Sequence, residues 1–178
     1  SVISYYYMFD DSYAEQRNAF IQKFENIAWA QVLESDAGSD IQKSWFDNLV
    51  SNTQTESGLI RLANLLTDNT AANGLEIDQD RRWTLITYLS AHNFTASAQL
   101  IEEESMLDPS DRGAKAALGA RVAMATMEQK STFLAESQNM ESGRELAERN
   151  QITGNLFYRH QTDLQKALLA DVLGAIQS

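Results

Sequence analysis

A chain of 178 residues with no cysteine and a formal net charge of −11 is long enough to bury one domain's core without disulfides or cysteine-based zinc sites. The acidic balance argues against nucleic acid or an anionic membrane surface as a partner, because both are met through basic patches that replace counterions. No apolar run approaches the roughly 20 residues a bilayer-spanning helix requires. The absence of cysteine fits a reducing compartment, so a cytoplasmic protein is expected.

The first nine residues are apolar and aromatic but carry neither the basic region nor the small-residue cleavage site of a signal peptide. Tyr5, Tyr6 and Tyr7 with Met8 and Phe9 read as a cut edge, a segment that packs against something upstream in a longer polypeptide. Apolar residues then recur at helical spacing almost throughout, and a single proline leaves long helices unbroken. From Asp11 to Glu34, Tyr13, Phe20, Phe24, Ile27 and Ala28 form one stripe, widened by Ile21 and Val32, and Gly38 ends it. Ser39 or Asp40 opens the next helix, with Gln42 in capping-box position and Ile41, Trp45 and Leu49 on its apolar side. A short helix over residues 56 to 67 is centred on Leu59, Ile60, Ala63 and Leu66.

Asp78 and Asp80 place negative charge on the first turn of a helix, where free N–H groups and the macrodipole favour anions. That helix buries Trp83, Ile86 and Leu89 and stops near His92-Asn93. The next, over residues 95 to 106, turns Ala98 and Ile101 inward and leaves Glu102, Glu103 and Glu104 on a solvated rim. Asp108 is expected to cap the following helix, with Pro109 in its first position and Asp111 completing a capping box. Its narrow stripe of Ala114, Ala117, Leu118, Val122 and Ala125 permits close helix approach. Thr126 with Gln129 opens another helix through about Gln138; residues 141 to 152 form a polar one that Gly154 breaks. The last, over residues 161 to 177, carries Leu164, Leu168, Val172 and Ile176 at four-residue steps. Trp29, Trp45 and Trp83 read as core residues.

This pattern predicts an all-α chain, a single helical domain over residues 1–178, with about nine helices in short-linked antiparallel pairs. Paired helices without an exact repeat suggest an irregular α-solenoid of the HEAT or armadillo kind. A compact orthogonal bundle is the rival arrangement.

Catalytic chemistry is not evident. A zinc peptidase needs two His one helical turn apart with a Glu between them and a distant Glu ligand. The chain has only His92 and His160, and Leu89 and Phe157 stand three residues before them, which also fails the helical-bundle di-iron pattern. A cysteine nucleophile, a G-x-S-x-G elbow and a glycine-rich phosphate loop are likewise missing from the sequence. No catalytic residue and no metal ligand is assigned, and His160 reads as an ordinary near-surface residue.

The run Gly74-Leu75-Glu76-Ile77-Asp78-Gln79-Asp80-Arg81-Arg82-Trp83, followed after two helices by Asp108-Pro109-Ser110-Asp111-Arg112-Gly113 and an Ala-rich helix, resembles the C-terminal helical domain of bacterial zinc aminopeptidases of the aminopeptidase N family. Gly154-Asn155-Leu156-Phe157 with Gln161 is similar to that domain's closing segment. The resemblance implies the C-terminal part of such a domain, encasing the active-site chamber and restricting peptide access. It implies that zinc belongs to the parent enzyme and that no cofactor is held in this chain. The partners implied are the catalytic domain of the same polypeptide and a peptide substrate. It further implies that Arg82, and with it Arg121, faces the cavity and grips substrate; the plainer reading of Arg82 is an ion pair with Asp78. A free-standing helical repeat protein that binds a partner protein is the alternative.

Overall fold

In the computed structural model, residues 11–68, 71–139, 141–170 and 172–173 are described. Among them the chain is all-α: a 3-10 turn at Asp11–Tyr13 precedes nine α-helices, and no strand is present. The aromatic N-terminal run and Ile176 lie outside the described residues. The chain divides into two compact units, Ser1–Leu85 and Ile86–Ser178.

The first unit holds α1 (Ala14–Glu34), α2 (Asp40–Asn52), α3 (Glu56–Asn64) and the start of α4 (Gln79–Ala91). Ser39 caps α2 by accepting the Gln42 N–H at 3.1 Å, and Thr55 caps α3 by accepting that of Gly58 at 3.1 Å. The buried face of α1 is Ile21, Glu25, Ala28 and Val32. Ile21, Ala28 and Val32 of the expected stripe are buried, but its large residues are turned outward: Tyr13 and Ile27 are exposed, and Phe20 and Phe24 are half-buried. In α2 the buried residues are Gln42, Phe46, Leu49 and Val50, whereas Ile41 is exposed and Trp45 half-buried. Trp29 is also half-buried, and the Arg61 guanidinium lies 5.4 Å from its ring centroid.

Both rotations have one cause, a buried polar side chain whose partners are far away in sequence. Glu25 accepts the N–H groups of Gln54 at 2.7 Å and Thr55 at 3.0 Å, and also the Thr55 hydroxyl. The Gln42 amide donates to the carbonyls of Val32 at 2.9 Å, Ala72 at 3.1 Å and Asn73 at 3.2 Å, and accepts the Gly38 N–H at 2.7 Å. Satisfied in this way, a polar group is tolerated in a core position that periodicity alone would reserve for an apolar one. In α3, Leu59 and Leu62 are buried while Ile60 is exposed.

The second unit holds the end of α4, then α5 (Ser97–Leu107), α6 (Asp111–Ala123), α7 (Met127–Gln138), α8 (Leu146–Asn155) and α9 (Thr162–Ala167). Its core joins Leu118 and Val122 of α6, Phe133 and Leu134 of α7, Ile152 of α8, Leu156 and Leu168. In α5, Ile101 is buried as expected, but Ala98 is exposed, and Glu104 is only 2% exposed instead of standing on the rim. The cap of α6 is Ser110, which accepts the Gly113 N–H at 3.0 Å. Asp108 serves one step earlier, accepting the Ser110 hydroxyl at 2.6 Å, so Pro109 precedes the helix.

Close approach on α6 is real but shifted: Gly113, Ala117, Gly119, Ala120 and Ala123 are buried, Ala114 is exposed and Ala125 half-buried. A Cβ on Gly119 would come within 2.8 Å of the Gln151 amide on α8. Thr126 caps α7 as the sequence indicates. Helix α8 starts at a capping box between Glu145 and Glu148 and runs through Gly154, which does not break it. The last predicted helix is interrupted at Leu168 by a turn.

Candidate functional site

Arg82 lies in the first unit and Arg121 in the second. Asp78 caps α4 by accepting the Arg81 N–H at 2.9 Å, and its other oxygen pairs with the Arg81 guanidinium at 2.6 Å. The Asp78 carboxylate is thus engaged by Arg81. Arg82 donates from Nη1 to the Leu66 carbonyl at 2.9 Å, a cation among the carbonyls that close α3. This contact ties α4 to the turn after α3.

Arg121 pairs with Glu102 at 2.9 Å and lines a cavity of about 580 Å³. Leu118 and Phe133 also line it, beside Lys115, Arg144 and Glu148. Each of these charges has a partner. Lys115 bonds Asp111 at 2.5 Å, a hydrogen bond that raises its pKa. Arg144 bridges Glu136 at 2.6 Å and Glu148 at 3.1 Å. The Glu145 N–H, followed by Arg144, holds the Glu148 carboxyl below its ordinary range.

A second constellation in the same unit has no counterpart in the sequence patterns. His92 follows the end of α4 and His160 precedes α9, yet their rings stack with centroids 3.7 Å apart and planes inclined by 15°. The positive φ of Asn93, 55°, turns the chain sharply just after His92. His160 Nε2 lies 2.8 Å from the Ala91 carbonyl, which makes that nitrogen the donor. Gln161, 5% exposed, donates to the same carbonyl at 2.8 Å and to that of Ala123 at 3.1 Å. His92 Nε2 is buried without a hydrogen-bond partner. Burial, then the neighbouring His160, lowers His92 to about 3; burial also lowers His160, against the Ala91 hydrogen bond.

Beneath the pair, Lys130 is fully buried and donates from Nζ to the carbonyls of Val122 at 2.8 Å, Ala123 at 3.1 Å and Asn155 at 3.4 Å. One ammonium therefore closes the C-terminal ends of both α6 and α8. Burial depresses it to about 8. The Tyr158 ring lies 6.0 Å from Nζ, and burial pushes its hydroxyl up to about 12. The stack borders a cavity of about 250 Å³ lined also by Asn93, Ala125, Asp163 and Leu164.

Zinc does not fit these side chains. It requires three or more ligands converging on one point, and no such group occurs among the described residues. No protein-family model matches the chain, and no curated protein matches it in sequence.

Proposed function

We propose that this chain is a non-catalytic C-terminal helical domain of a zinc aminopeptidase, an irregular helical solenoid that encloses the active-site chamber and limits which peptides enter. The catalytic domain of the same polypeptide is its principal partner, in a cytoplasmic setting, and peptides are its ligands. Zinc belongs to the parent enzyme, where it would supply the activated water.

One observation carries the reading: the residues that resemble the aminopeptidase domain are those that build this chain's helix starts. In Asp-Pro-Ser-Asp-x-Gly, Asp108 holds the Ser110 hydroxyl, Ser110 caps α6, and Gly113 packs so close to Asp108 that a Cβ would collide with its carbonyl. In the first run, Asp78 caps α4, Arg82 reaches the Leu66 carbonyl and Trp83 is buried. The order of residue types thus follows a mechanical requirement, which supports a shared architecture more strongly than chance identity would.

The reading is tested in the gene and in the test tube. The reading frame that encodes this chain should carry an H-E-x-x-H segment upstream, and the full product should release N-terminal residues from peptides in a zinc-dependent manner. The 178-residue chain given zinc should release none. A reading frame without the zinc motif, or hydrolysis by the chain alone, would replace this proposal; the first result would favour a free-standing partner-binding repeat protein.

A further inference from the structure

The histidine pair is not used in the proposed function, and its geometry demands a reason. Burial disfavours a proton on either ring, and once one ring is charged its neighbour resists a second proton. A proton on either ring places a cation against a neighbour 3.7 Å away, in a setting with little water. We propose that the His92–His160 stack is an acid-released latch that holds the segment from Leu156 to Gln161 against the end of α4.

The groups facing the stack favour release over accommodation. From α4 comes Tyr88, its ring 4.7 Å from that of His92, which follows the helix. From α7 comes the Lys130 ammonium, whose charge already disfavours a proton on His160. The α8–α9 link brings Tyr158, with ring centroids 6.0 Å from His160, and the exposed Arg159. From α9 comes Asp163, exposed at the cavity's edge, the carboxylate to which a charged imidazole would swing. A proton arriving at His92 Nε2 finds no acceptor where that atom now lies. The ring must therefore turn toward the cavity, and the stack parts as it does so. Without the stack, the hydrogen bonds of His160 Nε2 and Gln161 remain to tie the link to Ala91. If His160 is the ring that charges, its donated hydrogen bond survives but Lys130 repels it.

The test uses the whole 178-residue chain and the pH window from 7.5 to 5, above the range in which ordinary carboxylates titrate. Proton NMR of the two imidazoles should show neither ring titrating near pH 6.5 in the folded state. Each proton withheld from the folded chain lowers the folded-to-unfolded ratio about thirtyfold by pH 5, a fall in Tm of roughly 4–8 °C. Amide exchange corrected for intrinsic rates should quicken over residues 156–161 at pH 5 while the middle of α6 stays protected. His92→Phe keeps a ring for stacking, cannot charge and deprives no hydrogen-bond partner; its Tm should fall less over the window than the wild type's. Independent titration of both rings near pH 6.5 would overturn the proposal. So would an equal loss of Tm in His92→Phe, or unchanged exchange in the link. Should His92→Phe not fold, the wild-type titration and exchange decide the matter alone.

Discussion

The carboxylate of Glu25, in the middle of α1, accepts the backbone N–H of Thr55 at 3.0 Å and thereby holds the start of α3 from another helix. Glu25 is 1% exposed, and it satisfies two N–H groups and a hydroxyl of the half-buried link before α3. Glu25→Ala should therefore destabilise the chain by about 3 kcal/mol, the cost of several buried donors left unpaired. Glu25→Gln, which keeps one carbonyl oxygen, should cost less. Equilibrium denaturation in urea checks both, and a loss below about 1 kcal/mol for the alanine variant would refute the packing role.

That contact also shows where the sequence stops being informative. Caps at Ser39, Asp78 and Thr126 are legible because a cap and its N–H lie two or three residues apart. The buried face of α1 is not, since Glu25 takes a core position only through partners 29 and 30 residues away. Gln42 does the same across 30 and 31 residues. The cap of α6 falls two residues from its expected place because Asp108 and Ser110 both qualify locally, and only the hydroxyl's route from Asp108 to Gly113 separates them. No local pattern brings His92 to His160.

Lys130 predicts an alkaline rise in stability. Its folded pKa of about 8 lies below the ordinary lysine value of 10.5, so between those values the unfolded chain retains a proton that the folded chain has lost. Stability then rises with pH, because the unfolded state binds more protons. From pH 8 to pH 9.5 the gain should be on the order of 2 kcal/mol, read from urea midpoints at constant ionic strength. Tyr158, held near 12, works in the opposite sense only above the ordinary tyrosine range near 10, so the window is clean. Lys130→Met should remove the rise. A flat profile in the wild type would show that the three carbonyls hold the ammonium charged as firmly as water does.

Arg82 and Arg121 should separate by experiment. Arg82→Ala strips a donor from the Leu66 carbonyl inside the first unit and should cost about 1 kcal/mol. Arg121→Ala removes a solvent-exposed pair with Glu102 and should change stability by less than about 0.5 kcal/mol. In the full enzyme of the proposed function, Arg121→Ala should raise KM for peptides more than it lowers kcat, because a wall residue contributes binding and not chemistry. A fall in kcat at unchanged KM would place Arg121 nearer the reacting bond than this reading allows.

Three glycines give opposite signs under one substitution. Gly113 would put a Cβ against the Asp108 backbone, which cannot move without dismantling the start of α6. Gly113→Ala should therefore cost about 2–3 kcal/mol. Gly58→Ala should cost a similar amount, its Cβ lying 2.5 Å from the Glu25 carboxylate that α3 depends on. Gly154 sits inside α8 with nothing within 4 Å of its would-be Cβ. There alanine only restricts the unfolded chain and restores helix propensity, so Gly154→Ala should stabilise by about 0.5–1 kcal/mol. Thermal melts of the three variants at pH 7 measure this directly. If Gly154→Ala melted below the wild type, α8 would have to end before residue 154, as the sequence pattern alone suggests.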